Sequence, residues 1–160
     1  MTMPLPVSRA PPALLPMTTL RVGVAPLVSL GLGPCGERRF VPLGGGSAEG
    51  PELSGRIVEG GIDWQTLRPD SVLDIAAHYV IRTEDAALVE VTSLGLRHGP
   101  AEVMARLARG EAVPREAYFF RTVMRFQTGA PAWLHLNRVL ALAVGERAAN
   151  EVRLEVYRIT

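Results

Sequence analysis

Val72-Leu73-Asp74-Ile75-Ala76-Ala77-His78-Tyr79-Val80-Ile81-Arg82-Thr83 is the longest alternating run in the chain. Successive side chains of a strand point to opposite faces, so Leu73, Ile75, Ala77, Tyr79 and Ile81 form one apolar face. Val72, Asp74, Ala76, His78, Val80 and Arg82 form a mixed one. Glu84-Asp85 supplies turn residues, and residues 86–94 run back as the second strand of a hairpin.

The same texture extends in both directions. Upstream, short strands are read at 20–24, 38–43, 53–59 and 64–68. They are punctuated by Gly33-Pro34-Cys35-Gly36, Gly44-Gly45-Gly46, Gly60-Gly61 and Pro69-Asp70. Downstream, Val103, Met104, Leu107 and Ala108 recur at helical spacing between Pro100 and Gly110, the boundaries a helix prefers. Strands follow at 118–128, 133–145 and 152–159. Residues 133–145 are apolar on both faces, which calls for cover on both sides and suggests a second copy of the chain as partner. Residues 1–16 hold five of the 13 prolines and read as an extended arm before a single domain over 17–160.

Eight to ten strands and one short helix predict an all-β chain. A closed antiparallel β-barrel is preferred because closure removes strand edges. A barrel of this size has room for one small ligand.

Composition narrows the chemistry. All 17 basic residues of the 160 are arginine, which excludes Schiff-base, pyridoxal-phosphate and phosphate-loop lysines. Guanidinium groups remain as planar anion binders. A net charge of +1 does not suggest a nucleic-acid or membrane-surface partner. Cys35 is alone, so neither an internal disulfide nor a thiolate zinc cluster is expected. No secretory leader or membrane span is legible, and a cytoplasmic location is the expectation. No nucleophile elbow, phosphate loop or dinucleotide motif is present, and no cofactor is expected.

The ordered motifs Gly44-Gly45-Gly46-Ser47, Glu49-Gly50-Pro51, Gly60-Gly61-Ile62-Asp63-Trp64-Gln65, Gly95-Leu96-Arg97, Tyr118-Phe119-Phe120-Arg121-Thr122, Phe126-Gln127-Thr128-Gly129-Ala130-Pro131 and Leu136-Asn137-Arg138 carry a resemblance. From Met17 onward the chain resembles a bacterial family of unknown function, domain-of-unknown-function family 3237, also termed uncharacterised protein family 0311. The resemblance implies an antiparallel barrel grouped with allene oxide cyclase and dirigent-type barrels. Two positions depart from the family pattern: Gln127, where an acidic residue is usual, and His135, near which an aromatic is usual.

Asp63, between glycines and Trp64, is the leading candidate acid or base, since a desolvated carboxyl titrates nearer neutrality. Its alternative is a turn cap. Arg121 and Arg125 share a strand face with Phe119, Val123 and Gln127, so Arg121 is the candidate anion anchor. Arg39, Arg68 and Arg97 are further guanidiniums. Tyr79 and Tyr118 lie on apolar faces, where a buried hydroxyl needs a partner. Trp64 and Trp133 are candidates for stacking on a ligand. His78 is a candidate proton carrier, and Asn137 is either a clamp or a ligand contact. His78, His98 and His135 show no metal-ligand spacing, and no metal is expected.

Together these residues describe a cofactor-independent isomerase or cyclase acting on a hydrophobic carbonyl-bearing metabolite. The alternative is a non-catalytic ligand-binding or oligomeric assembly protein, self-associating through 133–145.

Overall fold

The computed structural model describes residues 10–160, so part of the arm read over 1–16 lies outside the described residues. The rest of that segment is not all arm, because the first strand, β1 (Leu14–Val24), begins inside it. The elements that follow are β2 (Val28–Gly33), β3 (Gly36–Glu49), β4 (Gly55–Leu67), β5 (Leu73–Thr83) and β6 (Leu88–His98). Then come a helix α1 (Ala101–Ala108), β7 (Phe119–Gln127), β8 (Leu140–Arg147) and β9 (Glu151–Ile159). Short 3-10 turns occupy Arg115–Ala117 and Pro131–Arg138.

Every neighbouring pair is antiparallel, in the order β1-β9-β8-β7-β6-β5-β4-β3-β2. A further β1–β3 ladder, from Thr19 opposite Glu49 to Val24 opposite Leu43, closes eight strands into a barrel. β2 is left outside the closed ring, paired only with β3.

Alternation carries the fold as expected. Ile75, Tyr79 and Ile81 of β5 face inward, meeting Val89 and Val91 of β6, Phe120 and Met124 of β7 and Val156 of β9 in one core. Burying each such side chain contributes roughly 1.5–3 kcal/mol.

Three local expectations are corrected. The separate strands at 53–59 and 64–68 are one strand, β4. A bulge between Val58 and Ile62 interrupts its ladder, and Gly60 takes φ 112°, which L side chains avoid. The three glycines at 44–46 do not end a strand. β3 continues through them, with an irregularity between Pro42 and Gly46; it stays paired with β4 on one edge while its other edge passes from β2 to β1. The strand read at 133–145 is two elements.

That third correction has a clear cause. Pro131 starts a 3-10 segment. Asn137 then holds the segment by accepting from the Thr128 N–H at 2.8 Å and donating to its carbonyl at 2.9 Å. The segment buries Leu136 alone, and the half-buried strand β8 follows. Two one-sided elements in succession read as one doubly apolar strand.

Candidate functional site

The two ends of the barrel differ. One end is filled by Met17, Leu20, Ile57, Ile81, Val89 and Met124, all nearly inaccessible. Toward the other, the same inward rows turn polar: Asp63 and Gln65 on β4, Ser93 and Arg97 on β6, Thr122 on β7 and Arg147 at the end of β8. Apolar residues including Val24, Val41, Ile75 and Val152 complete the lining of this cavity. Its void is about 500 Å³ including the open mouth, and it narrows inward between Asp63, Tyr79 and Arg97. The depth therefore suits a small polar group, with a larger body left in the mouth.

Asp63 is fixed by a relay. The Arg39 Nε donates to Gln65 Oε1 at 3.1 Å, and Gln65 Nε2 donates to Asp63 Oδ2 at 2.7 Å. The other carboxyl oxygen, Oδ1, is shut from solvent and has no partner within the protein. Burial raises the Asp63 pKa above its ordinary value. The Gln65 hydrogen bond, the charge of Arg97, the nearby Ala76 backbone N–H and the charge of Arg147 oppose this in part.

Tyr79 lies on the next strand, and its buried hydroxyl also lacks a partner. Burial and the Asp63 charge push its pKa up, so the phenol keeps its proton. Arg97 is half-buried as a residue, but its Nε is closed to solvent and unpartnered. Desolvation brings its pKa down to about 10, assisted by the charges of Arg147 and Arg39. Its guanidinium lies 5.6 Å from the Phe120 ring centroid. Gly145 makes room for that ring, since a Cβ there would stand 2.5 Å from it.

The expectations for individual residues divide. Asp63, Tyr79 and Arg97 meet in the cavity, and Arg39 acts on Asp63 through Gln65. Tyr118 accepts the Arg147 backbone N–H at 2.8 Å and anchors the strand end that carries Arg147.

The others lie elsewhere. Arg121 alternates with the inward Phe120 and Thr122, so it sits on the outer face, 5.3 Å from the Phe119 ring and donating to the Phe120 carbonyl. His78 alternates with Tyr79 in the same way and is exposed, 3.1 Å from Glu90. Both corrections follow from strand parity. Trp64 stands on the face opposite Asp63, packed with Phe40 and Arg38. The barrel interior, rather than the indole, therefore desolvates Asp63. Arg68 pairs with Asp70 at 2.5 Å and Asp74 at 3.7 Å in the turn after β4. Trp133 donates to Asp85 at 3.0 Å, and Asn137 is the clamp described above.

Gln65 and Arg147 also line the cavity, without a motif in the sequence that marks them as site residues. Gln65 follows Asp63 by two residues, which places it on the same face once β4 is continuous. Arg147 continues the inward series Ala141, Ala143, Gly145, which ending the strand at Gly145 concealed. Among the described residues, no three His, Cys, Asp or Glu side chains gather as a metal site. No helix there is long and apolar enough to cross a membrane.

Fold and cavity define an eight-stranded antiparallel barrel with a polar cluster at one end of an apolar lumen. The chain belongs to the family described as protein of unknown function (DUF3237), which it matches over residues 12–159. A UPF0311 protein of Rhodopseudomonas palustris is 34% identical, with 88% of this chain and 92% of that one covered. The crystal structure of a conserved protein of unknown function from the same organism superposes with a TM-score of 0.91 at 32% identity, covering 95% and 100% of the two chains. A β-barrel-like protein from Acinetobacter baumannii gives 0.83 at 34% identity, covering 96% and 99%. A more distant enzyme from Penicillium herquei gives 0.72 at 22% identity, covering 98% and 100%, a likeness of fold alone.

Proposed function

We propose that the cavity binds an apolar, carbonyl-bearing small molecule and isomerises or cyclises it without a cofactor. One observation carries this: Asp63 Oδ1, Tyr79 OH and Arg97 Nε line a single cavity, buried and without partners inside the protein. Buried polar atoms ordinarily find partners, so a converging group of unpaired ones suits a ligand.

The chemistry follows from the groups. Asp63 in its ionised form takes a proton from the carbon next to the substrate carbonyl. The electrons left on that carbon move onto the carbonyl oxygen, where the Tyr79 hydroxyl and Arg97 guanidinium donate hydrogen bonds. The raised Asp63 pKa matches a group that must both accept and return a proton. Return to a different carbon completes an isomerisation. For a cyclisation, ionised Asp63 instead takes the proton of a hydroxyl of the same molecule as that oxygen adds to a double bond conjugated with the carbonyl, and then returns the proton to the carbon next to the carbonyl. In both cases the barrel wall sets the substrate's shape.

The test is mass spectrometry of molecules co-purifying with the native protein, followed by incubation of the captured compound in heavy water. Wild-type protein is expected to exchange or rearrange it, and Asp63→Asn to bind it with at least a hundredfold slower turnover. No exchange or rearrangement by the wild-type protein would favour the non-catalytic binding protein, and equal turnover by Asp63→Asn would remove Asp63 as the base. Self-association through 133–145 would rest on the exposed Leu134 and Leu140, and a monomer on sizing would count against it.

A further inference from the structure

Resting on the cavity-ligand reading, we infer that the barrel selects its ligand by charge: an apolar molecule carrying one oxyanion, seated against Arg97 and Arg147. Arg97, Arg147 and Arg39 are the cations around the cavity, and Asp63 is the carboxylate that lines it. Glu37 lies 3.9 Å from Arg39. Neither Arg97 nor Arg147 has an ion-pair partner within 4 Å among the described residues. One Arg147 nitrogen is spent on the carbonyls of Ala148, Ala149 and Glu151, which leaves its charge uncancelled.

Buried guanidiniums are costly unless a charge opposes them. Here two press on each other, and desolvation acts on both. An oxyanion relieves both costs and supplies an acceptor for the orphaned Arg97 Nε and Tyr79 hydroxyl. Asp63 faces this position from β4, Tyr79 from β5, Arg97 from β6, and Arg147 from β8. Tyr118 and Glu146 stand behind them. The anion pairs with the protonated form of Asp63, which in the proposed reaction is the state after the carboxylate has taken the substrate's proton. Burial already favours that form. The protonated carboxyl then becomes a donor, and the apolar lining takes the ligand's body.

A coloured probe reads this directly. 4-Nitrophenol is yellow as the phenolate and colourless as the phenol, so its spectrum reports which form is bound. Wild-type protein is expected to hold it as phenolate to about one pH unit or more below its free midpoint, which equals tenfold tighter binding of the anion. Benzoate is expected to compete and benzamide not to. If only the phenolate effect appears, the oxyanion is of the enolate or phenolate kind. If only benzoate competes, it is a carboxylate. Either outcome supports the inference.

Arg97→Gln and Arg147→Gln should each abolish the shift, whereas Arg121→Gln on the outer face should leave both the shift and nitrobenzene binding as in the wild type. An unshifted probe displaced equally by benzamide and benzoate would overturn the charge inference but leave the cavity as a ligand site. Failure of nitrobenzene and both anions to bind would overturn both.

Discussion

The two ends of the barrel are built from the same strands in the same alternation, yet they contain opposite chemistry. β5 places Ile81 at the closed end and Tyr79 toward the open one. β6 goes from Val89 and Val91 to Ser93 and Arg97. β4 goes from Ile57, across its bulge, to Asp63 and Gln65. At the closed end the inward groups are apolar apart from Thr18, whose hydroxyl is also unpartnered, and Thr83. At the open end buried polar atoms converge without partners. Stability is therefore concentrated in the closed half, and the open half carries a cost that a ligand can offset. Polar groups held ready for chemistry are commonly destabilising.

The sharpest way to break this contrast is to damage the closed end. Ile81 is wholly inaccessible. Ile81→Ala should cost about 2–5 kcal/mol in denaturant unfolding, with the variant, where folded, binding small molecules as before. Loss of binding at intact fold would show that the halves are not independent.

Much of this architecture was legible. The 72–83 run and its return at 86–94 are the observed β5–β6 hairpin, because both strands keep strict period-two alternation between clear turn residues. The helix over residues 101–108 was equally readable from its Pro and Gly boundaries. The 133–145 segment was not, because a 3-10 turn held by side-chain bonds from Asn137 has no periodic signature. In the site, the sequence marks Asp63 as a candidate buried acid through its neighbour Trp64. Its burial comes from barrel closure, a long-range event that Trp64 does not report. Arg121 and Arg97 illustrate the remaining gap. Both sit in alternating strands, and only the pairing of Arg97 with Phe120 across β6 and β7 establishes which parity faces in.

A smaller effect would sharpen the contrast at the open end. Asp63 has a raised pKa in the folded protein, so between its unfolded and folded values the native state binds more protons than the unfolded state. Stability then falls as pH rises through that window. Asp63→Asn removes this dependence. Its stability relative to wild type should be greatest at neutral pH and shrink on acidification below the unfolded value, near 3.8. Denaturant titrations at a series of pH values give the difference. A difference that does not change with pH would mean Asp63 titrates as an ordinary surface acid.

The smallest effect is expected outside the wall. Arg121 contacts the Phe119 ring and the Phe120 carbonyl on the outer face. Arg121→Gln forfeits one exposed cation–π contact, worth about 0.5–1 kcal/mol, and the hydrogen bond is replaceable by water. Probe affinity should change less than twofold, whereas Arg97→Gln, across the β6–β7 ladder, loses the preference for the anion. The two residues occupy adjacent positions of the β6–β7 ladder, Arg97 opposite Phe120 and Arg121 opposite Leu96, and differ chiefly in the face their side chains take. A matched loss at both would mean that the overall positive field of the barrel, rather than its interior geometry, attracts the ligand, and raising the salt concentration would then weaken binding in proportion.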